Sequence, residues 1–234
     1  MFGAAGGIRR MRRPGGPVLP THHPNKGTIM LLVVSGVSGA GKTTARWQAT
    51  PLLGPEFEAL ELWHFPPLPA EPTIAWRQET LERVARRAIE LDAHGRHLLL
   101  AGDPVPAGEI LAVPSAEFID IAVCLLDVDD PTLHARLDDR GDPPELRPLH
   151  LGFASWLRHH ATDPGYVTEA LTTGCWPSMR WERWIGADIG DVWAMTVIDN
   201  SHLTPEESGR QLAQWCRAAV AGDAPVFRRG WHRR

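Results

Sequence analysis

The chain has 234 residues, 43% of them hydrophobic and 22% charged, which suits one globular domain with a substantial core. No apolar run is long enough to cross a bilayer, and three widely spaced cysteines, Cys124, Cys175 and Cys216, argue against a disulfide framework or structural zinc and fit a reducing, cytoplasmic setting. The net charge of −4 is uneven: residues 1–29 carry five cations and no acid, so the remainder carries −9, which speaks against a broad nucleic-acid surface.

Residues 1–27 are rich in Gly, Pro and Arg, lack periodicity, and read as a disordered basic leader. Thr28–Ser35 is a continuous apolar run, as expected of a strand buried on both faces of a parallel sheet. Residues 42–49 read as a short helix, and Phe57–Trp63 as a weaker second strand that must stop before Pro66-Pro67. Thr73–Ala93 has a helical apolar period through Leu81, Val84, Ala85, Ala88 and Leu91, with Gly95 as its stop. Arg96–Ala101 and Phe118–Leu126 are the third and fourth strands, and Asp130-Pro131 opens a helix to Arg140 with Asp130 as its N-cap. Residues 141–192 are Trp-rich and break the rhythm. Trp193–Ile198 is the fifth strand, and the capping box Thr204-Pro205-Glu206-Glu207 starts a last helix to about Ala221. This strand–helix alternation predicts an α/β fold with a parallel sheet and helices on both faces.

Between the first strand and its helix lies Gly36-Val37-Ser38-Gly39-Ala40-Gly41-Lys42-Thr43, which matches G-x-x-x-x-G-K-[ST] in the strand–loop–helix context that gives the pattern meaning. Glycines let backbone N–H groups turn inward around phosphate oxygens, and the helix N-terminus adds its positive end. Lys42 supplies a charge to the β- and γ-phosphates, and the Thr43 hydroxyl is suited to magnesium. The expected nucleotide-binding set is Gly36, Ser38, Gly39, Ala40, Gly41, Lys42, Thr43 and Thr44, with ATP and Mg²⁺ as cofactors. Asp103 follows the third apolar run where a magnesium-side acid belongs, though Asp-Pro also opens ordinary turns; Glu109 is a second acid in the same segment.

The run GVSGAGKTT resembles the P-loop of the small-molecule and nucleotide kinases, the family of gluconate, shikimate and adenylate kinases. Looser likenesses lie at Leu125–Pro131 with Arg136–Gly141, and at Val197–Ser201 with Leu203–Glu207. The resemblance implies a three-layer P-loop NTPase sandwich with a five-stranded parallel sheet and a helical lid. On that reading residues 28–221 form the kinase-like domain, 141–192 the lid or insertion and 222–234 a C-terminal tail. It implies transfer of the ATP γ-phosphate to a small-molecule or nucleotide acceptor. It also implies that Arg136 and Arg140, one turn apart on a helix face, meet the nucleotide and its phosphates, and that Asn200 and Ser201 lie at the adenine edge.

Related kinases often place an acceptor-binding aspartate after strand two. Trp63-His64-Phe65 stands there instead, leaving His64 as a candidate general base or an ordinary loop histidine. The candidate catalytic set is Lys42, Asp103, Arg140 and His64, with Thr43 and Asp103 toward the metal. Arg147, His150, Arg158, His159 and His160 cluster in the segment read as a lid, where they either close over phosphates or form a solvated face. Trp176, Trp181 and Trp184, interleaved with Arg180 and Arg183, form either a stacking platform or core packing. The departure at strand two keeps a second function open: an accessory protein that binds ATP without an acceptor. No membrane partner is expected and nucleic acid is disfavoured; nothing in the sequence speaks to oligomeric state.

Overall fold

The computed structural model describes residues 29–190 and 192–233; the leader expected over 1–27 and the start of the first strand at Thr28 lie outside them. Five strands form one parallel sheet: β1 (Met30–Ser35), β2 (Phe57–Leu60), β3 (His97–Ala101), β4 (Asp120–Asp127) and β5 (Thr196–Asp199), in the order β2-β3-β1-β4-β5. The central β1 is buried at every residue. Its side chains alternate between layers, as strand geometry requires. Leu31 and Val33 join one core cluster, and Met30, Leu32 and Val34 the other. Hence both faces are covered and the strands read as unbroken apolar runs.

The second of these clusters is closed by helix α1 (Lys42–Ala49) and by the last long helix, Pro205–Ala221, through Ala45, Ala49, Leu212, Ala213 and Cys216. Gly209 allows their close crossing, because a Cβ there would stand 2.2 Å from Gln48 Cβ. The other face is covered by α2 (Ile74–Asp92), the short α3 (Ala107–Ala112), α4 (Asp130–Arg140), α5 (Arg147–His160) and α6 (Glu169–Thr172); the Pro205–Ala221 helix is α7. The three-layer P-loop sandwich expected from sequence is therefore the observed architecture.

Local departures have identifiable causes. Strand two ends at Leu60 rather than Trp63, since Glu61 starts a 3₁₀ turn over Leu62–His64 and is locked there by a reciprocal cap with His64. Asp129, not Asp130, caps α4: its carboxylate accepts the Thr132 amide at 2.7 Å, which moves Pro131 one position inward. Strand five is Thr196–Asp199, while Trp193 turns inward and donates from Nε1 to the His160 carbonyl at 2.9 Å. The buried helix α3 has no counterpart in the sequence reading, because its six residues sit between prolines and are too few to show a period.

The Trp-rich segment also carries core. Trp184 is buried with its indole N–H on the Gly108 carbonyl, and Arg183 donates to the carbonyls of Leu111, Val113 and Pro114. These residues therefore pack onto α3 rather than form an open stacking platform. The stretch expected as a tail contributes Phe227 and Trp231 to the same core, and Phe227 exchanges backbone hydrogen bonds with Ile121 at 2.8 and 2.9 Å. Among the described residues no helix is long and apolar enough to cross a membrane.

Candidate active site

The loop from Gly36 to Thr43 leaves β1 and runs directly into α1. Its three glycines have φ of +144°, +89° and +93° at Gly36, Gly39 and Gly41. Gly36 also passes so close to β4 that a Cβ would lie 2.5 Å from the Leu126 carbonyl oxygen. Glycine is thus required by both conformation and space. Gly41 is the N-cap of α1 and supplies no side-chain cap, which leaves the first helical amides free of side-chain partners. Gly41, Lys42, Thr43 and Thr44 all line a cleft of about 450 Å³.

Lys42 is only 4% exposed. Its ammonium donates to the carbonyls of Gly36 at 2.9 Å and Val37 at 2.8 Å, so it lies folded over the loop that bears it. Burial pulls its pKa down to about 8; the charge of Asp103 opposes that, Arg140 reinforces it and Glu61 opposes it again.

Those two acids were only half legible. Asp103 follows β3, and its Oδ2 accepts the Leu62 amide at 2.6 Å, tying the ends of β2 and β3 together. Burial raises its pKa above the usual carboxylate value, against the pull of that hydrogen bond. Glu61 went unnoticed. It occupies the position after strand two where an acid seemed missing, two residues before Trp63. Its Oε1 accepts from Arg46 Nε at 3.1 Å and Nη2 at 2.7 Å, and its Oε2 accepts from Trp63 Nε1 at 2.5 Å. The carboxylate fills the space above Gly102, where a Cβ would come within 2.3 Å of it. The signal for Glu61 in the sequence is an acid directly after a short strand, hidden because the apolar pattern runs on through Leu62 and Trp63.

Arg136, Arg140 and Asn200 line the loop cleft, whereas Glu61 and Asp103 do not; Asp103 lines a neighbouring hollow. Arg140 Nη1 reaches Ser38 Oγ at 3.2 Å, while its other nitrogens hold Asp142. Arg136 donates to the Ala40 carbonyl at 3.2 Å and the Asn200 carbonyl at 2.7 Å, and Asn200 Nδ2 donates to Ala40 at 2.7 Å. These contacts join the loop to the turn after β5. Two buried polar atoms here, Asn200 Oδ1 and Ser208 Oγ, have no hydrogen-bond partner among the described residues. Unpaired buried acceptors and hydroxyls are costly, and both residues line the cleft, as a site awaiting a polar ligand would have them.

Other candidates are used elsewhere. His64 Nδ1 stands 3.0 Å from the Glu61 amide nitrogen and 3.2 Å from the Glu61 carbonyl, its ring stacks on Trp63, and it does not line the loop cleft. Ser201 Oγ donates to Asp199 at 2.6 Å and accepts the Asp129 amide. Glu109 is buried and held by Arg77 at 2.7 Å twice and by Gln78 at 3.0 Å. Arg147 pairs with Asp138, His150 faces Asp142 at 3.6 Å, and Arg158 grips Asp127 and Asp130. His159 Nδ1 stands 2.8 Å from the Ser155 carbonyl in its own helix. His160 sits against Trp156, Trp184 and Trp193, with burial driving its pKa down to about 4. None of these five lid candidates lines the loop cleft. Among the described residues no group of three His, Cys, Asp or Glu is placed to hold a metal by itself.

No family model matches the sequence, and a search of curated proteins finds no match. Solved structures do resemble the fold. The protein APE1195 is 16% identical over 83% of this chain and 98% of its own, with a TM-score of 0.51. A sugar kinase from Janibacter sp. HTCC2649 is 18% identical over 82% and 97%, with a TM-score of 0.49. A gluconokinase from Sinorhizobium meliloti 1021 is 16% identical over 82% and 94%, with a TM-score of 0.46. At such identity the likeness concerns the fold alone, an all-parallel α/β sandwich.

Proposed function

We propose that this protein is an ATP-dependent phosphotransferase acting on a small acceptor. The observation that carries the reading is the buried Lys42 on a glycine loop, with the carboxylates of Glu61 and Asp103 close enough to act on its charge. The residues fit the absent nucleotide: the first amides of α1 have no side-chain cap, and Asn200 Oδ1 and Ser208 Oγ are orphaned in the same cleft. The fit to magnesium is also chemical. With no three-residue cage among the described residues, a Mg²⁺ ion would rest on the Thr43 hydroxyl, phosphate oxygens and waters, which is how that ion is commonly held beside nucleotides.

When bound, ATP supplies its γ-phosphoryl group: the acceptor oxygen gains a bond to phosphorus as the bond to the β–γ bridging oxygen breaks, and ADP leaves with that electron pair. The protein's part is positioning and charge. Lys42 would swing from its own loop carbonyls to the phosphates, Arg140 would leave Ser38 for the same charge, and loop amides would fix the register. Asp103 would take the acceptor's proton on Oδ1, a role that its raised pKa favours. Glu61, held by Arg46 and Trp63, would orient water or acceptor on the same side. Two acids whose charges act on Lys42, one of them directly after strand two, support transfer over the binding-only alternative, which rests on the lack of an acid there.

The test is ADP formation from ATP-Mg²⁺ with a panel of nucleosides, nucleoside monophosphates, sugars, shikimate-like acids and aminoglycosides. One class should raise ADP release at least about tenfold over ATP alone, since productive positioning of an acceptor is worth far more than that. Tight nucleotide binding with no stimulation by any class would favour the accessory protein instead.

A further inference from the structure

Beyond Asp103 the surroundings change character. A hollow of about 420 Å³ opens between Asp103 and the start of α2, walled by Leu62, Trp63, Leu68, Ile74 and Trp76, with prolines between them. Nearly every polar atom of these walls is already engaged. Trp63 Nε1 donates to Glu61, Trp76 Nε1 donates to the Pro67 carbonyl at 3.2 Å, and Thr73 Oγ1 accepts the Trp76 amide at 3.1 Å. Arg77 spends Nε and Nη2 on Glu109. Among the side chains lining this space, Asp103 Oδ1, Arg77 Nη1 and the Thr73 hydroxyl proton take no part in these hydrogen bonds among the described residues. The rim is exposed indole and aliphatic surface: Trp63 is 54% and Leu68 53% accessible.

This arrangement suits one kind of acceptor and penalises another. A polyhydroxylated sugar entering here would lose water from several hydroxyls against indole, leucine and proline, with only a few protein groups to replace it. A ring on an apolar frame would instead stack on Trp63 or Trp76 and lose little. Resting on the phosphotransferase reading above, we propose that the acceptor is an alcohol or phenol on an apolar, ring-bearing body, with one hydrogen-bond-accepting substituent opposite Arg77. Glu109 already offsets the charge of Arg77, so that substituent is a neutral acceptor rather than a multiply charged phosphate. The hydroxyl points to Asp103 Oδ1, which takes its proton as the oxygen bonds to the γ-phosphorus and ADP carries off the bridging electron pair.

The experiment uses the full chain with Mg²⁺ and compares 4-hydroxyphenethyl alcohol and 2-phenylethanol with glucose and gluconate. Saturation-transfer NMR in the presence of ADP reads binding, and phosphorus NMR after addition of ATP reads product. The ring alcohols should bind and turn over at least about tenfold better in kcat/KM than the polyols, the discrimination a few apolar contacts commonly give. Trp76→Ala should raise KM for the ring series about tenfold with kcat little changed, and Trp76→Phe should restore most of it. If Trp76→Ala does not fold, Leu68→Gln on the exposed rim carries the same test. Glucose or gluconate bound as well as the ring alcohols, or better, with ADP binding intact, overturns the acceptor class and leaves the nucleotide site standing. ADP failing to bind the wild-type chain removes the reading beneath it as well.

Discussion

Lys42→Ala should lower kcat for phosphoryl transfer by about 10²–10³, the loss expected when one aimed charge is removed from a transition state. The direction follows from the resting arrangement. Lys42 is buried and turned onto the carbonyls of Gly36 and Val37, so it is held at the loop mouth but satisfied only by weak neutral partners. Triphosphate oxygens offer stronger, charged ones. The same burial gives a control against trivial unfolding. A lysine whose folded pKa is lowered to about 8 is protonated less readily in the fold than in the open chain, so it opposes folding at neutral pH. Removing it should leave the thermal midpoint unchanged or higher while turnover collapses. Initial rates of ADP release and a thermal scan check both halves; full turnover, or a fall in midpoint that accounts for the lost rate, would count against a phosphate role for Lys42.

Asp103→Asn should reduce kcat by about 10²–10⁴, the range for losing a positioned general base. Asparagine can still accept the Leu62 amide, so the tie between β2 and β3 survives and the change isolates the charge. Burial penalises the ionised form of Asp103 and raises its pKa from the ordinary value. A carboxylate with a raised folded pKa opposes folding at every pH above its unfolded value, so the asparagine variant should also be no less stable at pH 7. In the wild type, kcat should fall as pH drops through that raised pKa, with the bend above the value of about 4 typical of free aspartate. The variant should lose this acid limb. A kcat–pH profile with the same acid limb in both proteins would assign the base elsewhere.

Much of this site follows from local chemistry that a sequence displays directly. The loop glycines are legible because only glycine takes their positive φ, and β1 because a strand buried on both faces has no polar alternation. Thr204 and Glu207 show the start of α7 through a cap that needs only neighbours in sequence. What stayed hidden depends on contacts between distant segments. Glu61 became visible as a site acid only once β2 lay beside β3 and Gly102 passed beneath its carboxylate. Arg136 looked like a phosphate ligand from its helix face, yet it spends both terminal nitrogens on the backbone of Ala40 and Asn200, 96 and 64 residues away. The sequence leaves Trp184 between a stacking platform and core packing, and His160 between a phosphate-closing lid and a solvated face; the packing of α3 and α5 makes both core. The exposed Trp63 and half-buried Trp76 beside Asp103 are indistinguishable in sequence from the buried tryptophans, since burial of a tryptophan is decided by what the rest of the chain covers.

The most direct test of the nucleotide site is an ATP-Mg²⁺ titration of the full chain by calorimetry from pH 7 to pH 9.5. Binding should be plain at pH 7 and should weaken by up to about tenfold per pH unit as Lys42 of the free protein loses its proton above about 8, with Lys42→Ala lacking that dependence. No binding at millimolar ATP, or an affinity that is the same across this range in both proteins, would contradict the placement of the triphosphate on this loop.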